Sequence, residues 1–145
     1  MAEIRVHTER VDDIPLLFHH LEQMGIAEII NQVVQPHGNR RGLSPGYLTA
    51  TWLTYILSEA DHRMYLVEGW AQEHLQTLAS LLPEAVRVKD FTDDRLADIL
   101  RTLSDDDLWY KIEERLTGRL IRVYKLPRRT VRADSTVITV YHDSQ

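Results

Sequence analysis

The sequence contains no cysteine in its 145 residues, which limits the kinds of site that it can form. Disulfides and thiolate metal sites are excluded, and a reducing compartment is compatible with this composition. Hydrophobic residues make up 43% of the chain and charged residues 27%. This balance predicts a packed core and argues against a chain that is disordered throughout.

The sequence also lacks a strongly apolar segment. Charged side chains are frequent among the first thirteen residues, which excludes the apolar stretch of a signal peptide. A long uncharged stretch, residues 43–58, contains Pro45, Gly46 and three threonines, and is too short and too polar to span a bilayer. We therefore expect a cytoplasmic protein with no membrane partner.

Charge is unevenly distributed along the chain. The net charge is −5, which argues mildly against a free-standing nucleic-acid binder. Residues 115–132 nevertheless carry seven positive charges and no negative one, so the remainder carries −12. Such a block is typical either of a surface that contacts a polyanion or of a solvated helix face. The basic residues of this block are Arg115, Arg119, Arg122, Lys125, Arg128, Arg129 and Arg132.

Helical spacing of apolar residues dominates the chain up to about residue 123. Gly25 predicts a break between the first two helices, and Ser44 followed by Pro45 predicts a helix start. A further helix is expected over residues 64–82, and Thr92 is expected to cap the next one. The pattern predicts a mainly α bundle of five or six helices.

The last part of the sequence has a different character. Residues 130–141 are rich in Val, Thr and Ile, which is typical of a β-strand. We therefore expect a helical domain over residues 1–126, followed in residues 127–145 by a C-terminal β-strand or small hairpin. A lone strand leaves backbone groups unpaired on both edges, so it requires a local hairpin or a sheet formed by other residues.

Asp134 lies inside the predicted strand, where aspartate is disfavoured. A carboxylate in such a position is costly unless it is paired or binds a cation. An aspartate on an exposed edge, or one paired with Arg132, would explain the position equally well from this residue alone.

Four stretches, in order, resemble the N-terminal part of bacterial insertion-sequence transposases of the DDE type, in a branch with an uncharacterised helical N-terminal domain. The fourth stretch resembles the first catalytic strand of the RNase-H-like core in these enzymes, with an Asp-Ser-Thr sequence that begins at Asp134. Met64 stands where the family usually has Pro-Leu, and Phe-Thr replaces Leu-Asn in the third stretch. The four stretches are residues 43–46, 64–68, 91–96 and 131–141.

The resemblance implies a DNA transposase that works with two Mg²⁺ ions. Hard cations of this kind require oxygen ligands, which clustered carboxylates supply. Asp134 matches the first catalytic, metal-binding acid of that family. The second and third acids have no counterpart, because Asp143 lies too close to Asp134 to be either. We therefore expect no catalysis by this chain alone and no stable Mg²⁺ binding, although the full-length enzyme would use Mg²⁺.

In such an enzyme the helical part would bind transposon-end DNA or mediate dimerisation. The seven basic residues of segment 115–132 are the candidates for phosphate contacts, and Arg40 and Arg41 are a weaker second group. Two other interpretations remain open at this point. The chain could be a stand-alone interaction or regulatory module that forms homo-oligomers or mixed dimers with a full-length transposase. It could also be a gene remnant without a selected function.

Two motifs that often indicate enzymes are explained better by structure. Residues 42–46 fit the GxSxG pattern of serine hydrolases, but a polar loop precedes them and Pro45 makes Ser44 a helix cap. His19 and His20 are adjacent, so on a helix they diverge by about 100° and cannot grip one metal ion together. Neither a hydrolase nor a zinc site is expected.

Overall fold

A computed structural model of the chain describes residue 6 and residues 8–34 and 41–127. These residues form seven α-helices and two short 3-10 helices, Met64–Leu66 and Val88–Phe91, and contain no strand. The prediction of a mainly helical fold is confirmed. The predicted strand over residues 130–141 lies outside the described residues. The helices are α1 (Ile14–Met24), α2 (Ile26–Val33), α3 (Pro45–Glu59), α4 (Val67–Glu73), α5 (Leu75–Leu81), α6 (Asp93–Leu103) and α7 (Asp106–Val123).

The break between α1 and α2 falls at Gly25, as predicted. This residue has a φ of 76°, in the left-handed region that glycine adopts without steric cost. Its amide donates to the carbonyl of Glu22 at 2.8 Å, which closes the end of α1. The guanidinium group of Arg119 on α7 lies where a Cβ atom at this position would be. The turn therefore favours glycine here, and a larger residue would also displace the Arg119 side chain.

The start of α3 at Ser44 and Pro45 is also confirmed, but its capping differs from the expectation. The backbone of Ser44 is extended, and its hydroxyl caps no helix amide. Instead, the Asn31 side chain accepts from the Gly46 amide at 2.7 Å and donates to the Ser44 hydroxyl at 2.9 Å. The Ser44 amide donates to Glu84 at 2.8 Å. Residues far apart in the sequence therefore supply the cap of α3.

The predicted helix over residues 64–82 is divided in the structure. A 3-10 turn precedes α4, and α4 and α5 are separated at His74, which has a φ of −117°. The Nδ1 atom of His74 lies 2.8 Å from the carbonyl oxygen of Trp70. This break explains why the described residues contain seven helices rather than five or six.

The core consists of two hydrophobic clusters. The larger cluster surrounds α3, whose side chains are buried on most faces, and includes Ile14 and Phe18 of α1. The smaller cluster joins α1, α2 and α7 through residues that include Leu21, Ile29 and Ile112. Helix α1 contributes to both clusters and so connects them.

A buried carboxylate fixes the segment before α6. Asp90 is 0% exposed and accepts from the amide and the guanidinium group of Arg87, each at 2.9 Å. Arg95 of α6 forms a further ion pair with the same carboxylate. The hydrogen bond to Asp90 raises the pKa of Arg87. The buried charge is therefore fully paired, as a carboxylate in a protein interior must be.

Candidate functional site

Helix α7 carries the described part of the basic segment. It begins at Asp105, whose side chain accepts from the Leu108 amide at 3.0 Å. Ile112 is its buried residue, and Leu116 packs against the smaller cluster from a half-buried position. Arg115, Arg119 and Arg122 follow at helical spacing beside this apolar face. The helix therefore presents one side to α1 and α2 and leaves the other sides exposed.

Two of these arginines are engaged within the molecule. Arg115 donates to the side chain of Gln32 at 3.0 Å. Arg119 donates to Glu28 at 2.9 Å and to the carbonyl of Gln23 at 3.3 Å. Both side chains therefore brace α7 against the ends of α1 and α2, and phosphate binding would compete with these contacts.

Arg122 and Lys125 are exposed at the C-terminal end of α7 and have no hydrogen-bond or ion-pair partner in the described part of the chain. Lys125 has a φ of 49°, and the Leu126 amide donates to the Ile121 carbonyl at 3.1 Å. This arrangement is a left-handed helix end with an added backbone hydrogen bond. Its geometry leaves both cationic side chains accessible to an anionic partner.

The remaining predicted site residues fall outside the described residues: Arg40, Arg128, Arg129, Arg132 and Asp134. Arg41 is described and is exposed. Among the described residues, no three His, Asp or Glu side chains are placed to hold a metal ion together. No described helix is long and apolar enough to cross a membrane.

Helix α7 also exposes large apolar side chains. Trp109 is 51% exposed and Tyr110 is 67% exposed, both near the start of α7. Val123, Tyr124 and Leu126 are about half exposed at the other end. Aromatic side chains are enriched in protein interfaces, so α7 combines a cationic end with an apolar surface.

A cavity of about 780 Å³ lies on another part of the molecule, between the segment that precedes α1, the end of α3, and α4. Its lining draws on parts of the sequence that are distant from one another. The lining residues are Thr8, Glu9, Arg10, Asp12, Tyr55, Glu59, Asp61, Arg63, Leu66, Gly69, Trp70, Glu73 and His74.

Three buried rings form one wall of this cavity. The Tyr55 and Trp70 rings meet edge to face with centroids 5.4 Å apart, and the His74 ring lies 5.2 Å from Trp70. Because a carbonyl can only accept, His74 donates through Nδ1 to the Trp70 carbonyl, which leaves Nε2 as an acceptor in the neutral ring. Trp70 is 6% exposed, and its buried indole Nε1 has no hydrogen-bond partner among the described residues.

The charged side chains at the mouth of the cavity are partly paired. Asp61 accepts from Arg63 through both oxygens, with Nε distances of 2.9 and 3.0 Å. These hydrogen bonds lower the pKa of Asp61 to about 2 and raise the pKa of Arg63. Burial raises the pKa of Tyr55, and the nearby charge of Asp61 raises it further.

Sequence reasoning did not find this cavity. Its acidic residues are spaced irregularly, and Tyr55 and Trp70 occupy positions that helical periodicity assigns to the core. The polar residues around the end of α3 supply part of the lining, but polar residues at such a position are equally typical of an ordinary helix end. Three-dimensional packing brings these residues together.

The two enzyme-like motifs have structural explanations. Ser44 precedes the first residue of α3 and accepts a hydrogen bond from Asn31, and it does not lie on a turn between a strand and a helix. The rings of His19 and His20 are exposed and tilted by 50°, with centroids 6.2 Å apart.

Comparison with known proteins yields one family. No curated protein and no solved structure matches the chain. Residues 6–113, well over half of the chain, match the model of a family described as a domain of unknown function, DUF4277. The match ends within α7, so Arg115 and the later basic residues lie beyond it. The chain therefore belongs to the DUF4277 family.

Proposed function

We propose that this chain is the N-terminal, DNA-contacting part of a DDE-type transposase. The cationic end of α7, which is exposed and has no partner among the described residues, is the observation that carries the proposal. There, Arg122 and Lys125 lead directly into Arg128, Arg129 and Arg132, with no acidic residue between them. The order of the four sequence stretches that resemble such transposases supports the same function, and a cytoplasmic location follows from it.

The physical basis of this function is the neutralisation of backbone phosphates. Lysine and arginine side chains release counterions from DNA when they contact phosphates, and this release favours binding at low salt. Arg122 and Lys125 can make such contacts without losing a partner in the part of the chain that the structure describes. Arg115 and Arg119 instead hold α7 in place, because they bond to Gln32 and Glu28.

The catalytic assignment belongs to the same proposal. Asp134 would supply the first carboxylate of a two-Mg²⁺ site, with the other acids provided elsewhere in the full enzyme. This chain alone would bind DNA without cleaving it. Its role in the reaction would be to position transposon ends for the catalytic core.

DNA binding tests this proposal directly. Fluorescence anisotropy would be measured between about 50 and 200 mM salt. One duplex carries the end sequence of the transposon that encodes the protein, and the other carries the same bases in scrambled order. The double variant Arg122→Glu/Lys125→Glu is compared with Lys89→Glu, which changes an exposed cation paired with Glu68. We expect the double variant to weaken binding at least tenfold. We also expect it to reduce the slope of log K against log salt by about 2, since each lost phosphate contact removes about 0.9.

Binding that the control variant retains and the double variant loses supports the proposal. Equal effects of both variants, or no binding of either duplex at 50 mM salt, would overturn it. Preference for the end duplex over the scrambled one would separate sequence recognition from general phosphate contact.

A second candidate function rests on the apolar surface of α7. Trp109 and Tyr110 are more exposed than aromatic side chains of this size usually are, and could pack against a second copy of the chain or a full-length relative. Sedimentation equilibrium would show a dimer that Tyr110→Glu dissociates. A monomer up to about 100 μM, with no mixed dimer formed with a full-length relative, would exclude this candidate.

A further inference from the structure

We propose that the cavity between α3, α4 and the segment before α1 binds an aliphatic cation, a guanidinium or ammonium group carried on an apolar stem. This inference is independent of the DNA-binding proposal, because none of the basic residues of α7 lines the cavity. Three properties of the lining lead to it: its charge, its apolar wall and the free ring nitrogen of His74.

The charge of the lining is negative. Five carboxylates and two guanidinium groups line the cavity, which leaves three negative charges with neutral His74. Both guanidinium groups already have carboxylate partners, Arg63 with Asp61 and Arg10 with Asp12. They therefore offer little attraction to an anion, and the excess negative potential favours a cation.

Two of the carboxylates remain available to a ligand. Glu59 at the end of α3 and Glu73 at the end of α4 have no hydrogen-bond or ion-pair partner in the described part of the chain. Glu9 already binds the first amides of α5. A guanidinium group has five N–H donors and an ammonium has three, so either has enough donors for more than one carboxylate.

The aromatic wall suits the apolar part of such a ligand. The nearly buried rings of Tyr55 and Trp70 back the cavity with an apolar wall, along which an aliphatic stem can lie. Leu66 adds an aliphatic surface to the same lining. A bare metal ion would leave this apolar wall without a partner in a cavity of about 780 Å³, a size typical of organic ligands.

One unpaired ring nitrogen of the lining can also contact the cation. Nε2 of His74 can accept one hydrogen bond from the cation itself.

This chemistry has two sources, a free alkylguanidine and an arginine side chain within a peptide. Butylguanidinium represents the first source, and N-acetylarginine methylamide represents the second because it adds two peptide carbonyls. N-acetylcitrulline methylamide has nearly the same shape as the arginine probe but no charge, so it is the matched control for the cation.

The indole N–H signals in a two-dimensional ¹H–¹⁵N spectrum report on the cavity. The protein has three tryptophans, and only Trp70 lines the cavity. Trp52 is buried outside the lining, and Trp109 is exposed on α7. We expect the arginine probe to shift the Trp70 signal in a saturable manner and to leave the Trp52 and Trp109 signals unchanged.

Two single variants, their combination and one control variant test the carboxylates. Glu59→Gln and Glu73→Gln should each weaken binding roughly threefold, and together about tenfold, which is the range for a partly exposed ion pair. Glu113→Gln makes the same change on α7, outside the cavity, and should bind like the parent. All three positions are exposed, so the variants are expected to fold normally.

The outcomes are distinct. Binding of the arginine probe alone identifies a peptide side chain as the ligand, and equal binding of butylguanidinium identifies a free cation. Either result supports the site if citrulline binds at least tenfold more weakly. The inference is overturned if no probe shifts Trp70, if citrulline binds as well as arginine, or if the two Glu variants have no effect.

Discussion

Gly46 and Gly118 both lie inside helices, yet their surroundings differ completely. A Cβ atom at Gly46 would overlap the backbone carbonyl of Ala27, because α2 and α3 cross at this point. A Cβ atom at Gly118 on α7 would meet nothing within 4 Å. Gly46 therefore permits close packing of two helices, whereas Gly118 only weakens its own helix.

Alanine substitutions should separate these two effects. We expect Gly46→Ala to lower the free energy of unfolding by about 2 kcal/mol or more, because backbone atoms of α2 must move. Gly118→Ala should raise it by about 0.5–1 kcal/mol, the usual difference between the two residues inside a helix. Urea unfolding monitored by circular dichroism measures both. A neutral Gly46→Ala would show that the two helices can separate freely.

The ion pair between Asp61 and Arg63 has a defined pH dependence. The pKa of Asp61 is lowered from 3.8 to about 2 in the folded protein. Its contribution to stability is therefore fully present above about pH 5 and is lost as the pH falls toward 2. We expect the difference in Tm between the parent and Asp61→Asn to shrink steadily over this interval. Arg63→Gln should behave like Asp61→Asn, and a pH-independent difference would contradict the assignment.

At the scale of the element, the two acidic helix starts of α6 and α7 differ in their caps. Asp105 caps α7 through a hydrogen bond to the Leu108 amide. Thr92 occupies the same position in α6 without a side-chain cap. We expect Asp105→Ala to cost about 1 kcal/mol and Thr92→Ala clearly less, as measured by urea unfolding. Equal costs would indicate that the Asp105 hydrogen bond contributes nothing.

Local sequence signals predicted those element boundaries that depend on local chemistry. Gly25 ends α1 because a left-handed residue is needed there, and Pro45 begins α3 because its missing N–H costs nothing at that position. The division at His74 of the helix predicted over residues 64–82 was not predicted. No glycine or proline lies at residues 70–78, so the sequence shows no signal for a helix break there.

The candidate sites were predictable to different degrees. The basic face of α7 follows from helical spacing, so Arg115, Arg119 and Arg122 could be grouped from the sequence. The sequence could not show which of these arginines bond within the molecule, since the partners Gln32 and Glu28 are distant in the sequence. The cavity around Trp70 forms where residues 8–12 meet residues 55–74, and helical spacing does not predict that contact.

At the scale of the whole molecule, stability should be distributed unevenly. Helix α3 is enclosed by the larger cluster, whereas Ile112 is the buried residue of α7 and lies in its first half. We expect amides in the middle of α3 to exchange only on global unfolding, and amides after Leu116 to exchange at least about 100-fold faster. Native-state hydrogen exchange measures this ratio. Equal protection would show that α7 is held along its full length.

The contact between Glu9 and the start of α5 has a consequence for the order of folding. The Glu9 carboxylate accepts from the amides of Gln76 and Thr77 at 2.8 and 2.9 Å, across 67 and 68 positions of sequence. Closing so long a loop is entropically costly, so this contact should form after the transition state. We expect Glu9→Ala to accelerate unfolding in stopped-flow experiments and to leave the refolding rate unchanged. Glu9 would then contribute to kinetic stability, because it slows unfolding of the native state without accelerating its formation.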